Sequence, residues 1–316
     1  MKTRPDFIIF GHSKSGTTAL HDMLDQHPDI YMSDPKEPNF FASDFTRKGL
    51  QYAFREMTPD EYRAIFKDAP GNAVCGESSA SNIYSTVAAE NAYRWNPDAK
   101  IIVIFREPVD FLKSYHMQML KNPIEDGDNV EDLQTALDLE PQRKQGKQLP
   151  RGQKVPELLY YMERCKYTDQ LKRLYSVFPR EQVLVLLYDE FRKDNFATLK
   201  QVCSFLGVDP EFGFQKNDAN VTLRVKNKSA QDLLHNLGAG RGIFSYIKPV
   251  VKSAVPKGTR DKLLSWASDT FVYSYKKDIS AELERKLKQQ FRPEVEEFGQ
   301  LIGRDLLAHW EYDSIQ

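Results

Sequence analysis

Residues 7–20 read FIIFGHSKSGTTAL: a short apolar run, Gly11 and Gly16 five positions apart, and two threonines opening a helical stretch. This is the outline of a strand–loop–helix phosphate cradle, in which backbone N–H groups and the positive end of a helix dipole hold an anion. In the nucleoside-triphosphate version, G-x-x-x-x-G-K-[ST], a lysine directly follows the second glycine and the hydroxyl after it holds magnesium. Thr17 stands at the lysine position here, and Lys14 lies inside the loop. The N–H groups of Ser15, Gly16, Thr17 and Thr18 are therefore expected to hold a phosphate, but not in the triphosphate manner.

Working outward, short apolar runs alternate with stretches of helical period, the pattern of an α/β fold with a mostly parallel central sheet. Strands are expected at 7–11, 73–78, 100–106 and 182–188, with a weaker one at 29–33. Such near-continuous apolar runs suit strands covered by helices on both faces. Helices are expected to follow most of them: one from Thr17 that stops at Pro28, and one over residues 197–208 that ends at Gly207. Near the end, Pro293 between two helical stretches is expected to force a break or a kink. The whole reads as a P-loop-like three-layer fold, taken as a single domain over 1–316, with irregular basic insertions near 141–156 and 236–259. The first insertion carries five basic residues and no acid. It reads as a solvated loop, and secondarily as a surface favouring an acidic or carrier-attached acceptor.

Composition excludes more than it selects. The 316 residues are 41% hydrophobic and 28% charged with a net formal charge of −1, so bulk electrostatics points to no nucleic acid, and an anion site must be local. Cys75, Cys165 and Cys203 are widely spaced and odd in number, which fits neither a disulfide framework nor a metal site and suits a reducing compartment. The apolar run before Gly11 is too short for a signal-peptide core or a membrane span, and no later run approaches a span. A cytoplasmic protein is the expectation.

A nucleoside-triphosphate hydrolase or kinase also needs an acidic residue at a strand end to hold its metal. The strongest later strand, KIIVIF, ends instead in Arg106, and Ser114 follows eight residues on, within reach of the same anion through a short loop and a helical turn. Together with KSGTT, this pair resembles the two signatures of sulfotransferases that use 3'-phosphoadenosine 5'-phosphosulfate (PAPS). The resemblance runs along most of the chain. PKEPNFF (35–41) is similar to the KEPHFF-type stretch of the bacterial and heparan-sulfate-like branch. LLYDEF (186–191), FLGVDP (205–210) and LIGRDLLAHW (301–310) resemble later pieces of the family.

The resemblance implies a catalytic Lys14 that donates to the bridging oxygen as adenosine 3',5'-bisphosphate (PAP) departs. Ser15, Gly16, Thr17 and Thr18 would then hold the 5'-phosphate, and Arg106 and Ser114 the 3'-phosphate, with no metal. It implies Glu37 as the base that takes the acceptor's proton, with an ion pair to Lys36 as the alternative. Cytosolic small-molecule members use a histidine after their third strand, and GESSASNIY (76–84) has none. His12 is expected to contact substrate, whereas His21 and His116 read as satisfied structural histidines and Tyr188 as packing. A late basic loop of this family covers the nucleotide, which implicates Arg224, Lys226 or Lys228, although KNKS departs from the usual pattern there. The acceptor is expected to be a hydroxyl, less readily an amine, of a carbohydrate, lipid-linked or carrier-bound molecule. A non-catalytic nucleotide-binding module is the remaining alternative.

Overall fold

The apolar runs form five strands: β1 (Phe7–Gly11), β2 (Ile30–Met32), β3 (Val74–Ser78), β4 (Lys100–Phe105) and β5 (Val183–Leu187). The computed structural model describes residues 2–50, 54–120, 127–215, 223–225, 273–275 and 279–313, with 223–225 and 273–275 as backbone only. The strand order is β2-β3-β1-β4-β5 and every pairing is parallel. Strand pairing in this sense needs crossovers, and the helices supply them. They are α1 (Thr17–Leu24), α2 (Pro59–Ala64), α3 (Ala88–Trp95), α4 (Pro108–Met119), α5 (Leu133–Asp138) and α6 (Glu140–Arg143). The later ones are α7 (Tyr167–Tyr175), α8 (Tyr188–Lys193), α9 (Asn195–Leu206), α10 (Ala281–Ile302) and α11 (Leu306–His309).

The alternation of side chains along each strand divides the core into two layers. Ile8, Phe10, Ile101, Val103 and Phe105 face one side, where Ala92 of α3, Phe111 of α4, Leu171 of α7 and Phe298 of α10 cover them. Phe7, Ile9, Ile102 and Ile104 face the other, under Leu20 and Leu24 of α1 and Leu199 and Val202 of α9. This is the three-layer arrangement expected from the sequence. It places the loops after β1, β3 and β4 side by side at the carboxyl ends of the central strands, where open α/β sheets bind ligands. Two short strands, β6 (Leu223–Val225) and β7 (Tyr273–Tyr275), pair antiparallel.

Two expectations need correction. Pro293 does not divide the last long helix: α10 runs through it for 22 residues. Proline removes one helical hydrogen bond. Phe291, Val295 and Phe298 are nevertheless buried on either side of it, so core packing outweighs that loss. The 141–156 stretch is not simply a solvated basic loop either. It begins inside α6, where Arg143 is fully buried and donates to both oxygens of buried Asp128 at 2.8 Å. The planar guanidinium fork matches a carboxylate bidentately, which is what makes burial of this pair tolerable. Lys144 pairs with Glu140 and Glu163. Residues 236–259 lie outside the described residues.

Candidate active site

The loop between β1 and α1 turns on Gly16, at φ +85°, which caps α1 without a side-chain hydrogen bond. Glycine reaches this left-handed region freely. A Cβ here would also lie 3.1 Å from the ring of Tyr188. The first hydrogen bond inside α1 runs from Leu20 N to Gly16 O, 2.9 Å. The N–H groups of the preceding turn, Thr17 and Thr18 among them, have no carbonyl within the helix to meet. The Ser15 N–H instead turns back to His12 O at 3.3 Å and closes the loop.

His12 does not face a substrate. It is fully buried, with Phe111, Tyr84 and Tyr167 rings packed around it. Burial takes its pKa down to about 3, so the imidazole is neutral and carries one N–H. Nε2 donates to Arg164 O at 2.9 Å, and the Tyr84 hydroxyl donates to Nδ1 at 2.7 Å. The residue that reads as a ligand contact is an anchor under the loop.

Arg106, just past β4, meets that loop directly. Its Nη1 donates to Lys14 O at 3.1 Å, its guanidinium lies 4.8 Å from the Tyr188 ring, and Asp110 is 3.8 Å away. Its Nε is buried and has no hydrogen-bond partner among the described residues. The two stretches singled out in the sequence therefore touch. Ser114 follows on α4, 1% exposed. Glu107 caps α4, accepting from Val109 N and Asp110 N. Its buried carboxyl is pushed above the ordinary range by desolvation, and the Tyr312 hydroxyl donates to it at 2.5 Å.

Glu37 sits in a strained turn after β2, with φ +59° at Glu37 and +51° at Asn39. Two hydrogen bonds hold it against the end of β3, Glu37 N to Ser78 O and Asn39 N to Ser79 Oγ, and Asn39 Nδ2 to Glu37 O closes the turn on itself. Its carboxylate accepts from Lys36 Nζ at 2.8 Å and from Ala80 N at 3.3 Å. The ion pair with Lys36 is thus present, and it leaves the carboxylate partly exposed beside the loop after β3.

Sequence reading missed two groups here. Glu77, next to last in β3, is fully buried, accepting from Ser79 Oγ at 2.7 Å and from Asn82 Nδ2 at 3.4 Å. Burial, reinforced by the charge of Glu37, takes its carboxyl up to about 8. A carboxylate closing an apolar strand in GES was the available signal. His21 was expected to be satisfied; it is buried on α1, but its Nδ1 has no hydrogen-bond partner among the described residues. Burial and then Lys36 lower its pKa, which places it within electrostatic reach of the Lys36–Glu37 pair. His116 is satisfied, by the Tyr161 hydroxyl and Glu131 O. Lys226 and Lys228 lie outside the described residues, and Arg224 falls in β6, described as backbone.

Residues 4–237 match the family model described as sulfotransferase domain. The mouse protein named bifunctional heparan sulfate N-deacetylase/N-sulfotransferase 4 is 26% identical over 303 residues. That alignment takes in 92% of this chain but 30% of the mouse protein, so the chain spans about a third of that relative's length. A crystal structure of a sulfotransferase from Alicyclobacillus acidocaldarius is similar, with TM-score 0.68 and 26% identity, covering 96% of this chain and 98% of that one. Mouse sulfotransferase SULT7A1, solved in complex with PAP, shares the fold, with TM-score 0.50 and 16% identity over 98% of this chain and 90% of its own.

Proposed function

The chain belongs to the sulfotransferase family, and from that premise we propose that it transfers the sulfuryl group of PAPS to a hydroxyl, less readily an amine, of a carbohydrate acceptor. The contact between Arg106 and Lys14 O carries this reading, because it joins the two halves of a nucleotide site and leaves a buried guanidinium N–H without a partner. A buried donor in that state is costly unless a ligand meets it. The residues present fit PAPS. The open N–H groups at the start of α1, with Thr17 and Thr18, suit its 5'-phosphate; Arg106 and Ser114 suit its 3'-phosphate. Lys226 and Lys228 stand as the basic residues that would close over the nucleotide.

PAPS supplies the sulfuryl group, and the chain's own residues supply alignment and charge. Lys14 sets a positive charge against the oxygen that leaves with the 5'-phosphate, the role in which preorganised electrostatics contributes most. Glu37 takes the proton of the attacking hydroxyl as the new O–S bond forms and the bond from sulfur to the bridging oxygen breaks. Lys36 holds that carboxylate in place. The mouse relative whose name carries heparan sulfate favours a carbohydrate over a lipid-linked or carrier-bound acceptor. Calorimetric titration with PAP tests the reading. Saturable one-to-one binding is expected, and a protein that bound neither PAP nor PAPS would end it.

A further inference from the structure

The turn that carries Glu37 is held by three successive residues at the end of β3 and just past it, and by different means. Ser78 O accepts from Glu37 N at 3.0 Å, and Ala80 N donates to the Glu37 carboxylate at 3.3 Å. Both are backbone groups, aimed by the course of the chain. The third contact, Asn39 N to Ser79 Oγ at 3.0 Å, ends on a hydroxyl, which rotates to suit its partners and is fixed only by a second one. Glu77 is that second partner. Ser79 Oγ donates to its Oε2 at 2.7 Å, which leaves an oxygen lone pair for Asn39 N. Asn39 in turn donates from Nδ2 to Glu37 O at 2.9 Å. A chain of three hydrogen bonds therefore runs from the Glu77 carboxyl to the main chain of Glu37.

Both ends of that chain are unfavourable taken alone. Glu37 and Asn39 sit at φ +59° and +51°, a region that residues with a Cβ occupy only where their surroundings over-determine it. Glu77 and Ser79 are fully buried, and burying a carboxyl is unfavourable unless its hydrogen bonds are met. Glu77 is no counter-charge to a buried cation, since among the described residues it makes no ion pair. Burial, with the charge of Glu37 opposed by that of Lys36, keeps it a neutral acid near pH 7. A neutral acid needs an acceptor for its own proton. Asn82 is placed to be one: its Nδ2 lies 3.4 Å from Glu77 Oε1, and its Oδ1 is buried without a hydrogen-bond partner among the described residues, so the amide turned over would take that proton.

We propose that Glu77 is a positioning residue for proton transfer: by orienting the Ser79 hydroxyl it fixes the 37–39 turn, and so holds the Glu37 carboxylate in the place from which it takes a proton. The inference rests on the reading of Glu37 as the base and extends it to a fully buried residue behind it. Glu77 acts through Ser79 and Asn39 and does not itself relay the proton, since among the described residues no hydrogen bond joins the two carboxyl groups. A misplacement of about 1 Å in a reacting group is enough to lower a rate about a hundredfold.

The test is single-turnover release of labelled sulfate from saturating PAPS, in which water replaces the acceptor hydroxyl, its proton passes to Glu37, and sulfate and PAP leave. Glu77→Ala and Ser79→Ala are each expected to lower this rate about tenfold to a hundredfold, while calorimetric affinity for PAP stays within about twofold. Glu77→Gln keeps an acceptor for Ser79 Oγ and is expected to recover most of what Glu77→Ala loses. In a Glu37→Gln background, Ser79→Ala is expected to add no further loss, because the group it positions is gone. A Ser79→Ala rate equal to wild type, or an equal loss in both backgrounds, overturns the proposal. Ser79→Ala keeps the test open should Glu77→Ala not fold. A wild type that releases no sulfate, or a Glu37→Gln variant as fast as wild type, overturns it by removing the base on which it rests. Backbone amide exchange at Asn39 reads the hydrogen-bond chain independently of that base. Its protection is expected to fall in Ser79→Ala and Glu77→Ala and to persist in Glu77→Gln, and unchanged protection in Ser79→Ala would break the chain where Ser79 joins it.

Discussion

The loop after β1 and the cavity beside it are hydrogen-bonded neighbours built on opposite plans. The loop presents consecutive backbone N–H groups from Gly16 to Thr18 at the start of α1, with Lys14 just before them. The cavity, roughly 310 Å³ and bordered by Tyr84 and Arg164, takes its charges of both signs, Asp44 and Asp169 as well as Arg164 and Arg173, from stretches more than a hundred residues apart. A site made from consecutive backbone is fixed once a strand, a turn and a helix form. A site made from scattered side chains exists only after the core has packed.

Substitutions can sharpen or break that contrast. The largest effect is expected for Lys14→Ala, with kcat down about a hundredfold to a thousandfold, the scale of losing a placed charge-stabilising donor. Single-turnover sulfuryl transfer measures it, and a loss confined to KM would remove lysine from the chemistry. Glu37→Gln is expected to lower kcat about a hundredfold, as for a general base, with PAP affinity unchanged. Weaker PAP binding in that variant would erase the division between donor and acceptor sides. Arg106→Ala should weaken PAP about tenfold to a hundredfold in titration if the guanidinium is, as proposed, a charge-assisted donor to the nucleotide.

The smallest effect concerns pH and stability. Glu77 holds its proton up to about pH 8 in the folded chain, against an ordinary value of 4.5. The native state is therefore the more protonated one between these limits, and stability falls as pH rises from 4.5 toward 8. His12 has the opposite sign. Its pKa of about 3 lies below the ordinary 6.5, so stability falls as pH drops from 6.5 toward 3. Melting temperature against pH should show Glu77→Gln flattening the alkaline fall while the acid fall persists. An unchanged alkaline limb would mean Glu77 is ionised in the native state.

How much was legible follows the same contrast. The positions of the strands could be read because each depends on neighbours within a few residues, and the stretches around Lys14 and Arg106 that the sequence singled out do touch. The position of Lys14 alone set the loop apart from a triphosphate loop. Glu37 was visible as a residue but not as a geometry, since its left-handed backbone depends on Ser78, Ser79 and Ala80 across the sheet. His12 was misread because its partners, Tyr84 and Arg164, are 72 and 152 positions away. Arg143 looked like a surface charge until the fold brought Asp128 to it. Of the break or kink read at Pro293, the break is absent, since one helix continues through it with Phe291, Val295 and Phe298 buried.

The hydrogen bond from Tyr312 to Glu107 has a bearing on timing. The carboxylate caps the helix that begins two residues past Arg106, and its phenol partner lies 205 positions later. A chain emerging from the ribosome carries Glu107 and its local partners, Val109 N and Asp110 N, long before Tyr312 exists, so until then the carboxylate lacks its phenol donor. The β1 loop can form early, from its own stretch of chain. The cap of the helix after Arg106 is therefore completed only once the chain has grown 205 residues past Glu107.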